Sequence, residues 1–221
     1  MAGVLGLDTS NYTTSAAWFD GTQGDNVGKL LEVPQGSLGL RQSEALFQHV
    51  KRLPEILAAL KGTGLPDKLS AIGASTRPRE VEGSYMPCFL AGSAQGQGMA
   101  QVLSLPFYPC SHQQGHIAAA AWSAGRLDLL DRPHLVWHLS GGTTELLYVQ
   151  PEGVSVQGTV IGGSSDISAG QLIDRTGKRL GLAFPAGKAV DALSLRAQKK
   201  ESFPVKVKAR SFSLSGIGLS S

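Results

Sequence analysis

The chain has 221 residues, with 20 Lys and Arg against 17 Asp and Glu, a net charge of +3, and 42% hydrophobic residues. That balance excludes charge-driven disorder, and no apolar run approaches the roughly 18 residues of a membrane span. No basic segment leads into a long apolar stretch at the N-terminus, and Cys88 and Cys110 form no CxxC motif, so a reduced, cytoplasmic setting without a membrane is expected.

The length allows one or two domains. Residues 4–7 read as a strand, Asp8-Thr9-Ser10-Asn11 opens a polar turn, and residues 16–19 read as a return strand. Asp20-Gly21 and Gln23-Gly24-Asp25-Asn26 are turn signals, with a further strand expected over 29–33. Leu46, Val50, Leu53, Leu57 and Leu60 recur at helical spacing, so 43–60 is a helix whose apolar stripe faces a core, capped by Ser43 and kinked or broken at Pro54. A buried strand follows over 69–74, then a tightly packed small-residue helix over 88–103, and a short strand at Phe107-Tyr108.

The second half repeats the grammar. An alanine-rich helix over 112–122 precedes strands over 135–139, 145–149 and 154–161, and a helix over 169–180 ends at Gly181. Between Lys188 and Arg210 seven basic residues face only Asp191 and Glu201; with only Phe203 and Phe212 as aromatics, a solvated face is expected rather than a stacking platform for nucleic acid. The end reads as a chain cut in mid-domain.

Three clusters carry chemistry. His112 and His116 stand at i, i+4, so both face one side of a helix and can share a divalent ion. The spacing is that of zinc proteases, but Gln113 stands where those need a Glu base, which argues against proteolysis. Two ligands do not close a site, and Asp8 is the candidate carboxylate. Ser140-Gly141-Gly142-Thr143-Thr144 is either a hairpin turn or a loop whose glycines let backbone approach an oxyanion. Asp174 and Asp191 flank a Pro185-Ala186-Gly187 loop and are either exposed helix carboxylates or ribose contacts. His49 reads as a packing or surface histidine.

These segments, in this order, resemble the tRNA threonylcarbamoyladenosine transferase family (TsaD, formerly called glycoprotease). Gly6-Leu7-Asp8-Thr9-Ser10 looks like its first strand and turn, and Ser111 to Ala118 looks like its metal-binding helix. Leu139 to Leu146 looks like its nucleotide loop, Ala169 to Asp174 like its AGEAFD segment, and Leu180 to Gly187 like its LGLPYPGG segment. Ser211 to Gly216 faintly resembles its FSFSG segment. The resemblance implies an α/β, two-lobed actin-like ATPase fold of the sugar kinase, Hsp70 and ribonuclease H-like kind. The lobes are expected over 1–109 and 110–221, the second incomplete. It implies a divalent metal (iron or zinc, or magnesium with nucleotide) on His112 and His116. It implies an adenylate on His138, Leu139, Ser140, Gly141 and Gly142, and further nucleotide or substrate contacts at Asp174, Gly187 and Asp191. Asp8 takes the catalytic or metal-side carboxylate position. The implied reaction moves a threonylcarbamoyl group from its adenylate to N6 of the tRNA adenosine beside the anticodon. TsaB-like partners or a homodimer are implied as well.

Several positions depart from the family pattern. Asp8 and Gln171 replace Glu, Ala186 replaces Gly, Thr143 replaces His, and Arg77-Pro78-Arg79-Glu80 stands for a Gly-Pro-Gly loop. The family's last segment, which carries a further metal carboxylate, is not in the sequence. A fragment of this kind is expected to bind nucleotide weakly and not to complete transfer alone. The alternative is a non-catalytic TsaB-like scaffold, which the resemblance gives no paired histidines.

Overall fold

The computed structural model describes residues 2–34, 40–199, 202 and 204–216. The chain divides into two units, Met1–Leu127 and Asp128–Ser221. The first holds β1 (Gly3–Asp8), β2 (Thr13–Phe19), β3 (Gly24–Leu30), α1 (Gln42–Lys61), β4 (Leu69–Arg77), α2 (Phe89–Val102), β5 (Phe107–Ser111) and α3 (His112–Ser123). Its sheet runs β3-β2-β1-β4-β5. The first three strands form an antiparallel meander, and β4 and β5 add in parallel. This is the ribonuclease H-like order expected of an actin-like lobe. The parallel pairs need helical crossovers, which α1 and α2 supply. Leu5, Leu7, Trp18, Leu53, Leu60 and Ile72 form the core between sheet and helices.

Because β5 pairs with β4 and α3 continues directly from β5, the division falls at Leu127 rather than after Pro109, and the paired histidines lie in the first unit. Pro109 sits within β5, an edge strand, where a missing N–H costs no ladder bond on the open side.

Three expectations for this unit change. Residues 24–30, read as turn and strand, are one edge strand, and the turn is confined to residues 20–23. There Asp20 Oδ1 accepts the amides of Thr22 and Gln23. Helix α1 runs unbroken through Pro54, and Ser43 lies inside it; its N-cap is Arg41, without a side-chain cap. The buried line of α1 is Ala45, His49, Leu53, Ile56 and Leu60, while Val50 is 48% exposed. The apolar stripe is therefore rotated, with a histidine in a position where an aliphatic residue is the usual choice. The small-residue helix is as expected. Gly92 of α2 lies so close to β1 that an added Cβ would stand 3.1 Å from Thr9 Oγ1.

His49 is fully buried and its Nδ1 lies 2.8 Å from Thr14 Oγ1, tying α1 to β2. Burial pushes its pKa down, helped by the Arg52 charge and opposed by the Asn11 backbone and the Asp8 charge. The unfolded chain thus binds a proton at His49 more readily than the folded one. The stability this group contributes is complete above the ordinary pKa of about 6.5 and falls as pH drops through it. Thermal unfolding is expected to show a fall in Tm between pH 7 and 5.5 that shrinks in His49→Gln. An equal fall in both proteins would assign the effect elsewhere.

The second unit holds β6 (His134–Leu139), β7 (Thr144–Glu152), β8 (Ser155–Ser164), α4 (Ala169–Arg179), α5 (Gly187–Ser194), β9 (Val207–Lys208) and β10 (Ser211–Phe212). The β6-β7-β8 meander repeats that of the first unit. The sheet order, β6-β7-β8-β10-β9, does not: β10 joins β8 in parallel, and among the described residues β6 has β7 as its single neighbour. Helix α5 and strands β9 and β10 carry no periodicity long enough to be read from sequence.

Candidate functional site

In the first unit, the C-terminal ends of three neighbouring parallel strands converge. Strand β1 ends at Asp8, β4 carries Ser75 near its end, and β5 runs into α3 at His112. Carboxyl ends of strands where chain direction reverses are where open α/β sheets bind ligands. Helix α3 is fixed by a capping box. Ser111 Oγ accepts the Gln114 amide, and the Gln114 side chain accepts the Ser111 amide at 2.6 Å. Pro78 O accepts the Gln113 amide, so the 77–80 loop, closed by an Arg77–Glu80 ion pair, abuts the start of the helix.

This cap aims both histidines. His112 Nδ1 lies 2.8 Å from Asp8 Oδ2, and His112 Nε2 lies 2.9 Å from His116 Nε2. The two imidazole nitrogens point in opposite directions, so Asp8 stands behind His112 and cannot reach an ion held on the Nε2 side. The candidate metal-side carboxylate is thus a positioning group for one of the histidines. Ser75 Oγ donates to Asp8 Oδ2 at 2.5 Å and the Ser10 amide donates to Oδ1 at 2.8 Å. Burial raises the Asp8 pKa, but the His112 hydrogen bond and charge, with Ser10 and Ser75, outweigh it and hold the carboxyl at about 2. A permanent carboxylate on Nδ1 fixes the imidazole with its Nε2 lone pair outward, the arrangement found behind metal-bound histidines. Two nitrogens each about 2.0–2.1 Å from one tetrahedral ion stand about 3.3 Å apart. The observed 2.9 Å is a hydrogen-bond distance between the two rings, a few tenths of an ångström short of that spacing. Among the described residues no group of three His, Cys, Asp or Glu is arranged to hold a metal.

In the second unit, Ser140 to Thr143 joins β6 to β7 and rests on the N-terminus of α4. Ser168 caps α4, accepting the Gln171 amide and donating its hydroxyl to Gly141 O at 2.6 Å. Thr144 Oγ1 accepts the Ala169 amide at 2.7 Å, and the Gly170 amide donates to Ser140 O at 3.3 Å. The helix's unsatisfied N–H groups are thus met by the loop itself. Gly142 and Thr143 amides turn inward onto Ser140 Oγ, at 3.3 and 3.0 Å, rather than outward as the oxyanion reading requires. Gly141 and Gly142 are exposed, and an added Cβ on either meets nothing within 4 Å, so chain packing does not demand glycine there. An open glycine surface on a fixed loop admits close approach by a ligand. His138 and Leu139 lead into this loop at the end of β6.

Asp174, on α4, accepts the Ala186 amide at 2.9 Å. It holds the 185–187 loop in place, and one of its oxygens is committed there. Gly187 opens α5, and Asp191 lies exposed on the same helix. The structure therefore brings Ser140 and Gly141 against α4, and Asp174 and Gly187 to the α4–α5 pair. Ser75 and Ser168 were absent from the candidate residues, while Thr144 and Gly170 lay in candidate segments without a role of their own. Of the first two, only Ser168 had a readable signal, a capping serine three residues before Gln171. Phe203, from the basic stretch, lies outside the described residues.

Comparison with known proteins decides the family. The model of the tRNA N6-adenosine threonylcarbamoyltransferase family matches residues 34–221. The chain belongs to this family. Curated members include one from Thermus thermophilus, 34% identical over 97% of this chain and 64% of its own length. Another, from Enterococcus faecalis, is 32% identical over 97% of this chain and 60% of its length. The chain spans less than two thirds of the length of these relatives. Among solved structures, YeaZ from Pseudomonas aeruginosa is 16% identical with a TM-score of 0.45, covering 72% of this chain and 64% of that one. Among the described residues, no helix is long and apolar enough to cross a membrane.

Proposed function

We propose that this chain carries the metal-holding and adenylate-holding elements of a threonylcarbamoyl transferase acting on tRNA. The observation that carries this reading is the Asp8–His112–His116 line, two Nε2 atoms 2.9 Å apart with a low-pKa carboxylate behind one of them. His112 and His116 would hold a divalent ion; paired imidazoles suit iron or zinc better than magnesium, which prefers oxygen ligands. Such an ion supplies Lewis-acid anchoring of an acyl-adenylate.

The chain's own residues have separate tasks. Asp8 and Ser75 fix the His112 ring. The Ser140–Thr143 loop, propped by Ser168, Thr144 and Gly170, presents Gly141 and Gly142 to the nucleotide. In the transfer, adenosine N6 bonds to the carbamoyl carbon, the carbonyl–phosphate oxygen bond breaks, AMP departs and N6 gives up a proton. TsaB-like chains or a second copy complete the assembly in this reading.

Calorimetric titration tests it with AMP and with Zn2+ separately. Gly141→Val is expected to weaken AMP by at least about tenfold and leave Zn2+ binding intact, while His116→Ala does the reverse. Unchanged isotherms in both variants would remove the reading.

A further inference from the structure

Charge is unevenly spread. Residues 175–210 hold ten lysines and arginines against Asp191 and Glu201, in a chain whose net charge is only +3. Four of the cations before this stretch sit in ion pairs, Arg52 with Glu32, Arg77 with Glu80, Lys29 with Glu55 and Arg132 with Asp128, and the rest are scattered over the first unit rather than gathered on one face. Arg175, Lys178 and Arg179 of α4 have no ion pair among the described residues, and all three are exposed. At i, i+3 and i+4 they share one face. They line a concave surface together with Ile167, Leu172, Thr176 and Ser215. Two carboxylates close by in sequence, Asp174 and Asp166, are already engaged. Asp174 accepts the Ala186 amide, and Asp166 accepts the hydroxyls of Ser213 and Ser215 and the Leu214 amide, which hold it well below the usual carboxylate range. Lys178 and Arg179 also suit the negative end of the helix, but Arg175 lies a turn earlier, and the helix end does not account for the cations that continue through Lys188, Arg196, Lys206, Lys208 and Arg210.

We infer that this face of α4 binds the phosphodiester backbone of the acceptor RNA, with Arg175, Lys178 and Arg179 as its centre. The inference rests on the RNA-acceptor reading above and adds the surface that receives it. Unpaired, exposed cations around a concavity gain counterion-release free energy from a polyanion, and without base-edge readers they position RNA rather than select its sequence.

Fluorescence anisotropy of labelled tRNA and of an unrelated folded RNA of equal length, from 50 to 300 mM KCl, tests it on the whole chain. The wild type is expected to bind both, with affinity falling steeply with salt. Arg175→Glu/Lys178→Glu/Arg179→Glu should lose at least about tenfold in affinity and flatten the slope of log K against log salt by about 2 to 3. Lys51→Glu/Lys61→Glu/Lys68→Glu, in the first unit, should change neither by more than about twofold. Circular dichroism and AMP titration of the α4 variant control for folding. Equal losses in both triple variants would overturn the inference, as would an α4 variant that binds RNA normally. So would a face that leaves RNA unbound but retains an acidic peptide. Failure of AMP and Zn2+ binding with RNA binding intact would instead sink the transferase reading and leave this surface standing.

Discussion

Gly170→Ala is expected to destabilise the second unit and to abolish AMP binding, although alanine is the better helix former. An alanine Cβ at this position would stand 2.6 Å from Gly141 Cα, 2.7 Å from Ser140 O and 3.0 Å from Gly141 N. All three are backbone atoms, so no side chain can rotate away. Helix propensity favours alanine by about 1 kcal/mol at most, while forced overpacking costs about 1–3 kcal/mol. Relief requires lifting the 140–143 loop off the helix, which breaks the Ser168–Gly141 and Thr144–Ala169 bonds as well. The net loss, about 1–3 kcal/mol, would lower the Tm of a unit of this size by about 4–20 °C. Gly142→Ala provides the contrast. Its Cβ enters open space, so stability should hold while AMP affinity falls. A stable Gly170→Ala protein with normal AMP affinity would show that the loop does not depend on its seat on α4.

This seat shows what the sequence could and could not display. A strand, a glycine turn and a second strand were legible from alternation and turn residues, and so was a helix from residue 169. That the helix N-terminus supports the loop was not legible, because the bonds join residues 25 to 30 apart and involve common types, Ser and Thr. The i, i+4 spacing of His112 and His116 was legible because helical period alone brings them together. The role of Asp8 was not, since a carboxylate near two histidines can be a ligand or stand behind one, and only the direction of the imidazole separates these. Helix α1 misled for a related reason. Counting aliphatic residues placed Val50 inward, whereas the buried line passes through His49, whose Nδ1 is satisfied by Thr14. Sequence periodicity scores polarity and has no record of a polar group's partner.

Asp8→Asn should weaken divalent-metal binding by about 10- to 100-fold without removing either histidine. A neutral amide at residue 8 can still accept from His112 Nδ1, but it can equally turn its NH2 toward the ring and force the opposite tautomer. The Nε2 lone pair then carries a proton and is lost to the metal. Ser75 Oγ and the Ser10 amide, which both donate to the Asp8 carboxylate, would each face an amide that matches only one of them. Titration with Co2+, followed by its visible ligand-field absorption, separates this from simple unfolding. Asp8→Asn should raise the dissociation constant and leave the absorption envelope at saturation, because the ligating atoms are the same. His116→Ala should change the envelope itself, because a nitrogen is gone. His112→Gln should do likewise and leave Asp8 with no imidazole behind which to act. In that background Asp8→Asn is expected to add no further loss, since its whole effect passes through the His112 ring. A further tenfold loss in the double variant would mean that Asp8 reaches the ion directly, and would return it to the ligand role that its position behind His112 argues against.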